Sequence, residues 1–217
     1  MTPDAAALPR PADLLTLALD PGVTTPGDPL SERILDAALD LAAASGLRHL
    51  TMDAVAARAG VGRMTVYRRF GARAELVQAL AVRETRGALA TIAAALAPDQ
   101  SAEDRLAAGF VAALRIAREH PLLRRLSRYE PAAILEVLNS EHDRTLALVR
   151  GFLAAEVRRG QRLGALREGD PEAAAELLFR IGLSFVLMPR SVIAIDDDDT
   201  AGELARTLIA PIVVAPD

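Results

Sequence analysis

Between positions 63 and 73 the chain carries four arginines, Arg63, Arg68, Arg69 and Arg73, and no acidic residue. Met64, Thr65 and Tyr67 stand among them. Guanidinium groups at that density, interleaved with hydroxyls, suit an oxyanion-bearing polymer. Arginine pairs bidentately with phosphate, or with O6 and N7 of guanine. A good bidentate pair with a base separates right from wrong sequence by roughly 5- to 150-fold. His49, His120 and His142 are never at i, i+4 spacing and there is no H-E-x-x-H, so no zinc site is expected. The chain has no cysteine, which excludes disulfides, a thiol switch and a Cys-ligated metal. Asp196–Asp199 lacks the alternation of an EF-hand loop and reads as a solvated loop and helix cap. Without a P-loop, G-x-G-x-x-G or G-x-S-x-G, no cofactor, metal or catalytic role is expected.

The elements that must hold the arginines are written just upstream. Thr51 is placed to cap a helix, with Asp53 in its electropositive first turn. Met52, Val55, Ala56 and Ala59 keep one face apolar at helical spacing, and Gly60 supplies a left-handed stop. Gly62 then precedes a second short helix, Arg63 to Phe70, with Val66 and Phe70 facing inward. Two short helices on a tight glycine turn form a helix-turn-helix, whose second helix typically enters the DNA major groove. Arg63, Met64, Thr65, Arg68 and Arg69 are the expected groove residues, and Tyr67 is expected to offer its hydroxyl to a phosphate. For the arginines both base and phosphate contact remain open, since over half of protein–DNA hydrogen bonds go to the backbone. Thr51 and Arg73 sit at helix N-termini, which attract phosphate. Pure capping is an equal reading for Thr51. An amphipathic helix from about Ser31 to Ser45 completes a three-helix head.

This segment resembles the DNA-binding region of the TetR family of bacterial transcriptional repressors. Thr51, Val55, Ala56, Ala59, Gly60, Val61, Thr65, Val66, Tyr67, Phe70 and Leu76 occupy matching places, with Arg73 where the family has lysine. The match covers roughly 45 residues. Gly62 departs from the family's serine cap and Ala72 from its Ser or Asn cap, the second at a cost of about 1 kcal/mol. Met64 takes a place where smaller residues are common. The resemblance implies an all-α homodimer, a ligand cavity enclosed by helices 4 to 7, and a four-helix dimer interface from the last two long helices. Phe110, Leu114, Tyr129, His142, Phe152 and Phe179 are candidates for lining the cavity, with plain core packing as the competing reading. The helix expected over 171–188 is apolar on nearly every side and must be covered all round. A second subunit is the natural cover, which places Leu178, Ile181, Gly182 and Phe185 at the interface.

Charge is distributed accordingly. The 217 residues have a net charge of −4, but residues 31–80 hold seven arginines against five acids. All 25 basic residues are arginine. A small cationic face on an acidic body confines nucleic-acid contact to one place. Six prolines among residues 1–30 predict a disordered extension. A head over 31–76 and a helical ligand-binding and dimerisation domain over 77–217 follow. No apolar run approaches the ~20 residues of a membrane span, and no signal peptide is evident, so a cytoplasmic protein is expected. The function expected is that of a regulator binding a double-stranded operator, most simply a repressor released by a small-molecule effector. The alternatives are an activator, a regulator without ligand, or a helical enzyme or binding module with an incidental helix-turn-helix.

Overall fold

The computed structural model describes residues 28–97, 99–139 and 144–215. Nearly all of the expected extension, and His142, lie outside them. Among the described residues the elements are helical, with an isolated antiparallel bridge between Leu166 and Val214.

Helix α1, Pro29–Ser45, starts two residues earlier than the periodicity suggested. Asp28 caps it, accepting the amides of Leu30 at 3.1 Å and Ser31 at 3.2 Å, and Pro29 occupies the first turn, where its missing N–H costs nothing. Ile34, Leu35, Ala38 and Ala42 form its sealed face. Gly46 ends it with φ +91°, and a 3-10 turn at Leu47–His49 leads on. Helices α2, Met52–Ala59, α3, Arg63–Phe70, and α4, Arg73–Ala95, follow. Next come α5, Ala102–Glu119, α6, Pro121–Tyr129, and α7, Pro131–Leu138. Proline opens both α6 and α7, and the His120 ring caps α6. Helix α8, Arg144–Arg162, precedes α9, Pro171–Leu187, which is capped by Asp170 as its Asp-Pro start predicts. The last segment is continuous: α10, Asp198–Leu204, a π-helical turn at Ala205–Ile209, and α11, Ala210–Val213. It begins on an Asp197 cap, inside the aspartate run.

Two compact units form, divided otherwise than at the expected 76/77 boundary. One unit runs to Gly87 and also takes in Ile116–Ala147. Its core joins Ile34, Leu50, Val55, Val66, Leu76 and Leu80 to Leu122 and Leu126 of α6. The other contains Ala88–Arg115 and the chain from Leu148 onward. There Ala107, Ala205 and Ile209 pack with Leu178 and Ile181, and Leu114, Ile195 and Ala201 pack with Phe185.

At the start of α4 the missing Ala72 hydroxyl is half compensated. Glu75 reaches back to accept the Ala72 amide at 3.1 Å, which is one of the two bonds of a capping box. Ala72→Ser supplies the other. The expected gain is about 1 kcal/mol, or a rise in Tm of about 2–4 °C in thermal unfolding.

Candidate DNA-binding surface

The turn between α2 and α3 is built by backbone hydrogen bonds. Gly60 adopts φ +64°, and its amide bonds to the Ala57 carbonyl at 3.3 Å. The Val61 amide returns to Ala56 at 3.0 Å, completing a Schellman closure of α2. Thr51 opens the same helix by accepting the Ala54 amide at 3.2 Å. Helix α3 is then pinned through Val66 and Phe70, one turn apart and both buried. Burying such a side chain stabilises by about 1.5–3 kcal/mol, enough to fix which side of a two-turn helix faces out. That side carries Met64, 74% exposed, and Arg68, which makes no ion pair among the described residues. Thr65 and Tyr67 flank it, each half-buried.

The other arginines of the cluster are engaged within the chain. Arg63 lies 3.0 Å from Asp53 of α2 and 3.3 Å from the Tyr67 hydroxyl, with its guanidinium 5.2 Å from the Tyr67 ring centroid. The hydrogen bond with Tyr67, then the charge of Asp53, raises the Arg63 pKa further above its ordinary value. Both partners of the Arg63–Asp53 pair are more than half exposed. An exposed pair of this kind is readily exchanged for a phosphate or base. Arg69 turns toward the start of α1, where it pairs with Asp28 and donates to Ser31 Oγ at 3.2 Å. The hydrogen bond from Ser31, with the Arg69 charge assisting, holds the Asp28 carboxyl below its usual range. Arg73 donates through Nε to the Leu50 carbonyl at 2.7 Å and through a terminal nitrogen to the Leu47 carbonyl. It thereby ties the 3-10 turn to the first turn of α4. Exposed Arg48 and His49 on that turn add cationic and polar surface that helical periodicity could not flag.

In the same unit α4 is tied to its neighbours. Arg83 reaches Asp36 at 2.8 Å and Glu32 at 3.3 Å on α1, and pairs with Glu84 at 2.7 Å. Glu84 in turn meets His120 Nε2 at 2.9 Å. Burial pushes the Glu84 carboxyl up, but hydrogen bonds from His120 and Arg83 outweigh it and hold the group below its ordinary value.

Of the residues expected to line a ligand cavity, Phe110 and Leu114 meet in one apolar cluster. Phe152 is sealed in the core, Leu114 is buried, and Phe179 is half-buried. Phe110 stacks edge-on against Phe185 at 5.7 Å between centroids. Tyr129 is 64% exposed, with Arg125 and Arg128 over its ring at 5.7 and 5.5 Å. A cleft of ≈460 Å³ in the other unit is lined instead by Ala107, Val111, Arg115, Asp198 and Arg206 among others. The expected interface residues also face inward in part: Leu178, Ile181 and Phe185 pack in the chain's own clusters. A Cβ on Gly182 would meet open space. The exposed apolar residues of that unit are Leu177, Met188, Leu208 and Ile212 among others. Among the described residues, no group of three or more His, Asp or Glu could hold a metal, and no helix is long and apolar enough to cross a membrane.

A capped helix, a glycine turn and a second helix with an exposed cationic outer side define a helix-turn-helix DNA-binding protein. Residues 34–80 match the family described as bacterial regulatory proteins, tetR family. The match places a TetR-family DNA-binding region at residues 34–80 and supports a TetR-family transcriptional regulator. Similar solved structures include the TetR family repressor AlkX from Dietzia, implicated in biodegradation of n-alkanes. It is 26% identical over 86% of this chain and 95% of its own, with a TM-score of 0.62. SmeT, the repressor of the Stenotrophomonas maltophilia multidrug efflux pump SmeDEF, is 23% identical over 85% of this chain and 90% of its own, at 0.59. The fatty acid degradation regulator FadR from Bacillus halodurans is 18% identical, covering 82% and 95%, at 0.60. A comparison with curated protein sequences finds no match.

Proposed function

We propose that the protein is a cytoplasmic repressor which binds a two-fold operator as a homodimer and leaves it when a small-molecule effector is bound. The observation that carries the reading is the outer side of α3, where Met64 and Arg68 are presented to solvent beside an Arg63 whose contacts to Asp53 and Tyr67 are exposed. Met64, Arg68 and Arg63 would lie against base edges, with Thr65 and Tyr67 at the flanks. Thr51 and Arg73 would approach phosphates through the helix N-termini they occupy, and Arg69 would do so from beside the cap of α1. Repression is supported by AlkX and SmeT, both repressors by name. Dimerisation is supported by the exposed Leu177, Leu208 and Ile212.

Footprinting tests the reading. Two protected half-sites related by a dyad, with centres about one helical turn apart or somewhat more, are expected. A single unsymmetrical half-site held by a monomer would overturn it. Binding is expected to weaken steeply with salt.

Arg63 and Asp53 separate reading from positioning. Arg63→Ala is expected to relax preference at one base pair per half-site, by roughly 5- to 150-fold. Asp53→Asn, which removes the competing carboxylate, is expected to tighten binding to all duplexes. Arg68→Ala should reduce the salt slope by about one unit for each phosphate that the guanidinium neutralises. Competition binding against operators varied one position at a time, repeated across salt concentrations, measures all three. A uniform affinity change for Arg63→Ala would make it a phosphate-binding residue.

A further inference from the structure

Helix α8 carries a charge that its surroundings do not balance. Arg159 is only 8% exposed, and among the described residues its Nε has no hydrogen-bond partner. Its nearest carboxylate oxygen is Glu156 Oε2, at 3.9 Å, beyond hydrogen-bond reach. That oxygen is already taken by Arg105 of α5 at 2.6 Å. Glu156 Oε1 is buried without a partner. Arg105 spends further donors on the carbonyls of Leu96, at 3.2 Å, and Ala97, at 2.7 Å, where α4 ends.

Two guanidiniums thus share one carboxylate beneath the surface, with side chains 14%, 10% and 15% exposed for Arg105, Arg159 and Glu156. Arginine does not escape by losing its proton. A rotamer change that joined Arg159 Nε to Glu156 Oε1 would still leave one positive charge in excess. The carbonyl end of α8 favours a cation, but it gives Nε no acceptor. Buried charges are normally paired, and a buried ion left without its counterpart is strongly unfavourable.

We propose that Arg159, with Arg105 behind it, is a binding site for a small oxyanion, the carboxylate or phosphate group of a low-molecular-weight ligand. Arg105 is the fixed half, held by the α4 carbonyls and Glu156. Arg159 is the half with donors in hand, and its planar fork matches two oxygens of one anion. Burial, then the charge of Arg105, pushes the Arg159 pKa down, as expected of a cation lacking an anion. The site stands whether or not that anion belongs to the effector proposed above.

The test uses the full chain and two probes, inorganic phosphate and acetate, titrated separately at ionic strength held constant with sodium chloride. Thermal unfolding is followed for the unaltered protein, Arg159→Met and Arg159→Lys. Excluded salts such as phosphate stabilise any protein, without saturating. Specific binding adds a saturating rise in Tm, about 5–10 °C at a hundredfold excess over half-saturation. That component is expected with at least one probe, and which one tells phosphate from carboxylate ligands. It should vanish in Arg159→Met and weaken in Arg159→Lys, which keeps the charge but not the fork. Should Arg159→Met fail to fold, isothermal titration of the lysine variant against the unaltered protein decides. Absence of a saturating response in the unaltered protein, or an equal one in the variants, overturns the site.

Discussion

Replacing Gly46 with alanine is expected to destabilise the head-bearing unit by about 2–4 kcal/mol, lowering Tm by roughly 5–15 °C. Gly46 closes α1 at φ +91° and ψ 160°, a region almost restricted to glycine, where other residues cost about 1–3 kcal/mol. The space is also occupied: a Cβ there would collide with the Glu130 carboxylate. Glu130 is the far end of a flexible side chain, but its side chain is only 12% exposed, so its retreat is hindered. Overpacking of this kind typically adds about 1–3 kcal/mol. The two causes separate in a double mutant. Glu130→Ala in the Gly46→Ala background should recover the collision and leave the backbone strain. Denaturant unfolding of the four proteins measures the coupling. If the double mutant recovers nothing, the collision is relieved without cost and strain alone remains. A Gly46→Ala protein as stable as the original would contradict both.

Local chemistry makes the head legible in the sequence. Thr51, Gly60, Val66 and Phe70 each act through neighbours within about five residues, or through a burial pattern that repeats with the helix. Asp170-Pro171 announced α9 by the same local rule. The contacts that Arg69 and Arg73 make within the chain are hidden for the opposite reason. Arg69 meets Asp28 from 41 residues away, and Arg73 meets Leu47 from 26 residues away. Side-chain type alone says that an arginine seeks oxygen, not whether a carboxylate, a carbonyl or a phosphate supplies it. Long-range packing likewise decided the fate of Phe110 and Phe185. Each looked available in sequence, one for a ligand and one for a partner subunit, and they satisfy each other instead. The buried excess charge at Arg105 and Arg159 had no sequence signal, because its existence depends on two helices meeting.

The same packing moves the interface prediction to Leu208. It projects from the π-helical turn whose other side, Ala205 and Ile209, is buried, and it is 65% exposed; Ile212, one turn on, is 43% exposed. Within one protomer Leu208→Arg touches little and should change folding stability by no more than about 0.5 kcal/mol. Across a two-fold interface each substitution occurs in both copies, and an unpaired charge buried there costs several kcal/mol. The expected result is a folded monomer with an unaltered helical spectrum. Because two linked heads bind far more tightly than one, operator affinity should fall by roughly 10²–10⁴-fold although no DNA-contacting residue has changed. Phe185→Arg behaves differently: it places a charge against Phe110 inside the protomer, and should unfold or aggregate rather than dissociate. Sedimentation velocity with operator titration distinguishes the two. A Leu208→Arg protein that remains dimeric and binds its operator normally would falsify the assignment of this face to the subunit contact.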